Sequence, residues 1–226
     1  MIICKYTKLD SARFFSHLDF MRQIDMAIRR TELPVNYSHG FNPHSLLYFA
    51  PPLPVGVASS SEYLCIDIDI CANDFLGKIN KSLAKGIKIL KAANCEKNPN
   101  VAAISRAATY KIKSEKSVEL EDFKKLNSKK EIVISFESKG KLVSKDIKDK
   151  IFELKGEGDT YEFTLACGNN NLRADRLFNQ LLENSKQQTN FIVEKKKLFT
   201  FKSALNAKSV ITSTKQLVEV DKLFFG

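Results

Sequence analysis

The sequence predicts an α+β protein made of two tandem ferredoxin-like (split βαβ) halves, with antiparallel sheets and helices on one face. Three observations lead there. Residues 1–97 read as strand, helix, strand, strand, helix, strand. A second copy of that order is arguable over residues 98–202. With 226 residues and 43% hydrophobic composition, the chain can bury one large core or two small ones. No motif repeats residue by residue, so the duplication rests on element order alone. The tail, 203–226, has no clear period.

In the first half, Ile2 to Thr7 is apolar with one lysine and predicts a strand. Ser16 opens a helix, because Ser16 and Asp19 have capping-box spacing and Asp19 is placed to reach back to the first free amides. At 100° per residue, His17, Met21, Ile24 and Ile28 share a stripe, with Phe20 and Ala27 on its flank. Arg22, Asp25 and Arg29 line the other side, and Glu32-Leu33-Pro34 ends the helix. Ser45 to Ala50 is a short strand. Glu62 to Ile70 alternates acidic and apolar residues, as a half-buried strand does. Asn73 or Asp74 caps a second helix reaching Ala84, and Gly86 to Cys95 gives another strand.

The join lies near Glu96–Val101, where Asn98-Pro99-Asn100 is a turn cluster. Beyond it, Ala108 to Lys113 predicts a strand and Leu120 to Leu126 a helix, followed by the strand EIVISFES from Glu131. An extra helix is expected between Leu142 and Lys150. The strands KIFELKGE and YEFTLACG are joined near Gly158-Asp159. A helix over Asn171 to Leu182 and a strand over Asn190 to Phe201 complete this half.

Composition narrows the function classes. No apolar run approaches the ~20 residues of a membrane span, and MIICKYTKLD lacks the layout of a signal peptide, so the expected location is the cytoplasm. The five cysteines are scattered, with no C-x-x-C pair to suggest zinc or an iron–sulfur cluster. No P-loop, dinucleotide fingerprint, hydrolase triad signature or HExxH is present, so no cofactor and no metal is expected. The net charge of +10 invites an anionic partner such as RNA. That charge is uneven: residues 1–70 carry 6 basic and 7 acidic side chains, the remainder 30 and 19. Lys195-Lys196-Lys197 reads first as a solvated strand face.

The chemistry is concentrated between Ser16 and Gly56. His39-Gly40-Phe41-Asn42-Pro43-His44 combines a turn-forming glycine with Asn-Pro and two histidines. Pro51, Pro52 and Pro54 stiffen the next segment, so little entropy is lost when it grips a ligand. The bland alternative is a crossover whose prolines only route the chain. His17 sits on the apolar stripe, where a neutral core histidine is the simpler reading. Asp19 is most simply a cap and Arg22 its ion-pair partner. Four of the seven arginines nevertheless fall in residues 13–30, and Arg22 with Arg29 could face a phosphate.

The stretch FFSHLDFMRQIDMAIRRTELPVNYSHGFNPHSLLYFAPPLPVGVASSSEYL resembles the opening of the radical-SAM-linked proteins, a bacterial domain family of unknown function. The matching elements are Ser16, His17, Leu18, Asp19 and Arg22, then Ser38 and Gly40 through His44, then Pro52 to Gly56. The match covers roughly residues 2–70. It departs from the family pattern at His39, where glutamine is commoner, and at Ser45-Leu46, where proline and a basic residue are usual. The second departure weakens the case for a phosphate contact from that loop. The resemblance implies an accessory domain working with a radical-SAM enzyme, since this chain has no C-x-x-x-C-x-x-C cluster motif of its own. The tandem layout is also similar to repeat-associated RNA-binding proteins that process CRISPR transcripts, although their glycine-rich C-terminal loop is missing.

Three functions are therefore expected in order. The first is a non-catalytic recognition module binding RNA or another anionic substrate through His17, Asp19, Arg22, Gly40, Phe41, Asn42 and His44. The second is a metal-independent endoribonuclease with His44 or His39 as general base and Arg22 stabilising charge. The third is a protein-interaction scaffold.

Overall fold

Ile2, Cys4 and Tyr6 alternate with Ile3, Lys5 and Thr7, and this period of two makes strand β1 (Ile2–Lys8) the centre of the first unit. A computed structural model describes residues 1–118, 126, 128–138, 140–201 and 217–226. It is a mixed α/β structure with a large, mostly antiparallel sheet and few helices. Two compact units divide the chain: 1–105 with 197–226, and 106–196.

In the first unit, β1 pairs antiparallel with β3 (Ala58–Ile66) and with β4 (Ile87–Asn94), so Ile3 lies between Cys65 and Ala93. The short strand β2 (Leu47–Phe49) pairs with β3, setting Tyr48 opposite Cys65. Ile2, Cys4, Tyr6, Leu64, Ile66 and Ile89 are buried beneath two helices, α1 (His17–Arg30) and α2 (Ala72–Ile79). Phe20, Ile24, Ala27 and Ile28 close the core from α1; Phe75 and Ile79 close it from α2. Each such large side chain contributes about 1.5–3 kcal/mol by leaving water. The buried face of α1 therefore centres nearer Phe20 and Ala27 than the stripe through His17 and Met21 suggests.

Ser16 caps α1: its hydroxyl accepts the Asp19 amide at 3.1 Å. The Asp19 carboxylate reaches back to the Ser16 hydroxyl at 2.6 Å, not to a free backbone amide as expected. A 3-10 turn over Asp10–Phe14, absent from the sequence reading, links β1 to α1. Helix α2 is capped by Cys71, whose sulfur accepts the Asp74 amide, rather than by Asn73 or Asp74. It stops short of Ala84 because the Asn80 side chain leaves the helix to pair with β4, donating to Ile89 O at 3.0 Å and accepting from Ile89 N at 2.8 Å. Strand β3 starts before Glu62 because Ser59 and Ser61 are themselves buried.

A four-residue helix, α3 (Val101–Ile104), is capped by Asn100 in the left-handed region and precedes the second unit. There, β5 (Ala107–Ser114) pairs with β9 (Thr160–Ala166), and β9 pairs with β8 (Ile151–Glu157). Strand β10 (Phe191–Phe201) lies beside β5. Helix α4 (Ala174–Asn184) buries Leu177, Phe178 and Leu181, and Phe178 meets Tyr161 and Phe191 at ring distances of 5.0 and 4.8 Å.

The helix expected between Leu142 and Lys150 is not formed. That segment is strand β7 (Lys141–Asp146), paired with β6 (Val133–Ser138) in a separate two-stranded sheet and followed by a 3-10 turn, Lys148–Lys150. Gly140, at φ +73°, turns the chain between them, and the Asp146 carboxylate accepts the amides of Ile132 and Lys148 at 2.9 and 3.0 Å. These bonds hold the Asp146 carboxyl below its usual range. The helix expected over Leu120 to Leu126 lies, apart from Leu126, outside the described residues.

From the tail, the described residues 217–226 form β11 (Leu217–Glu219), which pairs with Phe199–Phe201, and α5 (Val220–Phe224). Asp221 fastens this piece to the first unit by accepting from Lys5 at 2.9 Å and Lys91 at 2.8 Å. Burial opposes ionisation of Asp221, yet the bonds from Lys91 and Lys5 keep its carboxyl below the usual range.

Candidate functional site

Tyr6 and Glu62 are cross-strand partners of β1 and β3 on the helix side of the sheet, where the ladder slips one step between Tyr6 and Lys8. Lys8, at the end of β1, and Glu62 are 4% and 3% exposed. These are low values for ionisable side chains. With His17 at the first turn of α1, they line a narrow recess floored by Phe20 and walled by Pro51-Pro52. Lys8 donates to Phe15 O at 2.8 Å and lies 5.8 Å from the Phe20 ring centroid. His17 meets Phe49 edge-on at 5.6 Å.

The charges in this recess act on one another. Burial lowers the Lys8 pKa, and the Glu62 carboxylate partly restores it. Burial also lowers the His17 pKa, Lys8 adds to that effect, and Glu62 opposes it. His17 is thus a neutral imidazole at pH 7. Burial first, then Lys8, favours that neutral form. Burial first, then Glu62, pushes the Tyr6 hydroxyl far up, so it stays protonated.

The loop from Ser38 to His44 has a different construction. The Ser38 amide donates to His44 O at 2.9 Å, the His44 amide donates to Ser38 Oγ at 3.1 Å, and Ser38 Oγ lies 2.8 Å from His44 Nδ1. Gly40 takes φ +126°, and a Cβ there would meet nothing within 4 Å. His39 to His44 are exposed, Phe41 completely, while Ser38 is half-buried. Beside the loop, the Ser45 hydroxyl bonds Asp25, while Arg29 is held by Asp25 at 2.8 Å and lies over the Tyr37 ring.

The predicted residues therefore divide. His17 turns into the recess with Lys8 and Glu62. Asp19 and Arg22 lie on the exposed side of α1, 3.4 Å apart, where such a pair contributes little to stability. Gly40, Phe41, Asn42 and His44 belong to the cinched loop, together with the exposed His39. Arg29 is engaged by Asp25 and Tyr37 and does not stand open beside Arg22. Sequence reasoning passed over Tyr6, Lys8 and Glu62. Glu62 in particular reads as the solvent side of an alternating strand, and only its place opposite Tyr6 shows otherwise.

Among the described residues, no group of three or more His, Cys, Asp or Glu side chains is arranged to hold a metal. No helix among them is long and apolar enough to cross a membrane. Lys196 is paired with Glu194 at 2.7 Å and Lys197 with Glu219 at 3.6 Å.

The model of a family described as an uncharacterized protein conserved in bacteria (DUF2344) matches residues 2–190, and the chain belongs to that family. No curated protein matches the chain.

Proposed function

We propose that this protein is a non-catalytic recognition module that binds RNA or another anionic substrate on behalf of a radical-SAM enzyme. The observation that carries the binding role is the Ser38–His44 loop, cinched at its base and fully presenting Phe41 at its tip. Such a loop has little entropy left to lose on binding. Ser38 Oγ already accepts the His44 amide, which favours its hydroxyl proton pointing to Nδ1. His44 Nε2 then carries a proton outward and serves as a donor to an anion rather than as a base. Arg22, exposed on α1, adds a guanidinium, and the excess of 30 basic over 19 acidic side chains in residues 71–226 supplies attraction at longer range.

The enzyme partner rests on the resemblance of residues 2–70 to radical-SAM-linked proteins and on cytoplasmic residence. The ferredoxin-like reading of both units is supported by matching strand orders: β4-β1-β3 with β2 on β3, and β10-β5-β9-β8.

Filter binding of single-stranded RNA over a salt series tests the reading. Affinity should fall as salt rises, and Phe41→Ala should weaken binding roughly tenfold through lost stacking. Absence of binding, or of a salt slope, would sink the RNA assignment. RNA cleavage in EDTA that His44→Ala abolishes would replace it with histidine acid–base chemistry. Affinity capture from the native cytoplasm, with bound proteins identified, tests the enzyme partner.

A further inference from the structure

We propose that the recess is a carbonyl-binding site in which Lys8 condenses with a small aldehyde or ketone bearing an apolar body. The geometry that carries this is the convergence of Lys8, His17, Glu62 and Tyr6 in one narrow recess with an aromatic floor. Ala50, Pro51, Pro52 and Leu53 line the same narrow recess as the polar groups, so apolar surface meets the body of a small ligand whose carbonyl reaches the amine.

The chemistry balances without an oxidant or reductant. The lone pair of neutral Lys8 Nζ adds to the carbonyl carbon, and the carbonyl oxygen takes a proton to give a carbinolamine. Loss of that hydroxyl as water leaves the imine C=N. Burial favours the neutral amine the first step needs. His17, a neutral imidazole in the same recess, carries one nitrogen proton to the carbonyl oxygen in the first step and the second nitrogen proton to the departing hydroxyl in the next, so both protons of the released water come from Lys8 Nζ. Glu62 on β3 opposes this by favouring the ammonium, His17 faces Lys8 from α1, and Tyr6 on β1 stays a neutral hydroxyl.

Reductive trapping with butanal and cyanoborohydride, mapped by peptide mass spectrometry, tests the site in the full chain independently of RNA binding. At neutral pH, Lys8 should be labelled several-fold faster than exposed lysines such as Lys78 and Lys88, because burial lowers its pKa and leaves more of the amine unprotonated. Its labelling should also reach half-maximum at lower pH than theirs. Glu62→Gln should move that pH profile further down while the profiles of Lys78 and Lys88 stay put. Labelling of Lys8 no faster than the exposed lysines, or a Lys8 profile that coincides with theirs in the wild type, would overturn the assignment.

Discussion

Ser38 and His44 hold each other through three contacts: one between backbones at 2.9 Å, one from the His44 amide to Ser38 Oγ at 3.1 Å, and one between Oγ and Nδ1 at 2.8 Å. The loop between them is closed by its own ends, so its shape does not depend on burial.

Ser38→Ala should release the loop without unfolding the protein. It removes both side-chain contacts and leaves the backbone bond in place. Because these groups are exposed, the loss of global stability should stay within about 1 kcal/mol. Amide exchange at His44 should accelerate while α1 stays protected, as read by hydrogen exchange with NMR. Unchanged exchange at His44 would show that the hydroxyl does not hold the loop.

His17 should make stability depend on pH in a defined window. Its pKa in the folded protein is depressed, and an unfolded histidine titrates near 6.5. Between those two values the unfolded chain binds more protons, so stability is full above about 6.5 and is lost as the pH falls toward the folded value. Urea midpoints for wild type and His17→Gln, compared on both sides of 6.5, isolate this from the exposed His39 and His44. The variant should lose the extra slope; parallel curves would mean that His17 titrates normally.

Gly86→Ala should be far more damaging than Gly40→Ala. Both glycines have positive φ, but a Cβ on Gly86 would overlap the carbonyl oxygen of Leu9 and crowd the Ala12 side chain, whereas Gly40 faces open space. The Gly86 carbonyl also accepts the Leu9 amide at 2.8 Å, so neither backbone can withdraw freely. The alanine at Gly86 should cost roughly 2–4 kcal/mol, and the one at Gly40 about 1 kcal/mol from strain alone. Thermal or urea unfolding of the two variants decides this, and equal losses would refute it.

The contrast between these glycines also marks where the sequence was legible. Gly40 stands out because its neighbours are Asn-Pro and histidine, which are local cues. Gly86 carries no such cue, since what it must clear lies on a segment distant in the chain. Helix α1 was readable from Ser16, Asp19 and Pro34 because capping, period and termination depend on adjacent residues. The helix expected over strand β7 fails for the converse reason. Its six residues are stabilised by pairing with β6, and the period of so short a run does not distinguish the two states.

Neighbouring residues are enough to set the local apparatus: a capped helix, a rigid loop with its histidines, a proline arm and the strands that alternate cleanly. The company each side chain keeps is set only when the chain folds. Lys8 and Glu62 look like ordinary solvent-facing charges on half-buried strands. The register that sets Tyr6 opposite Glu62, and α1 laid across that end of the sheet, take both charges out of water beside His17. Register and layer packing arise from contacts between distant segments, and the free energy that shifts a buried amine or imidazole exists only once those segments meet.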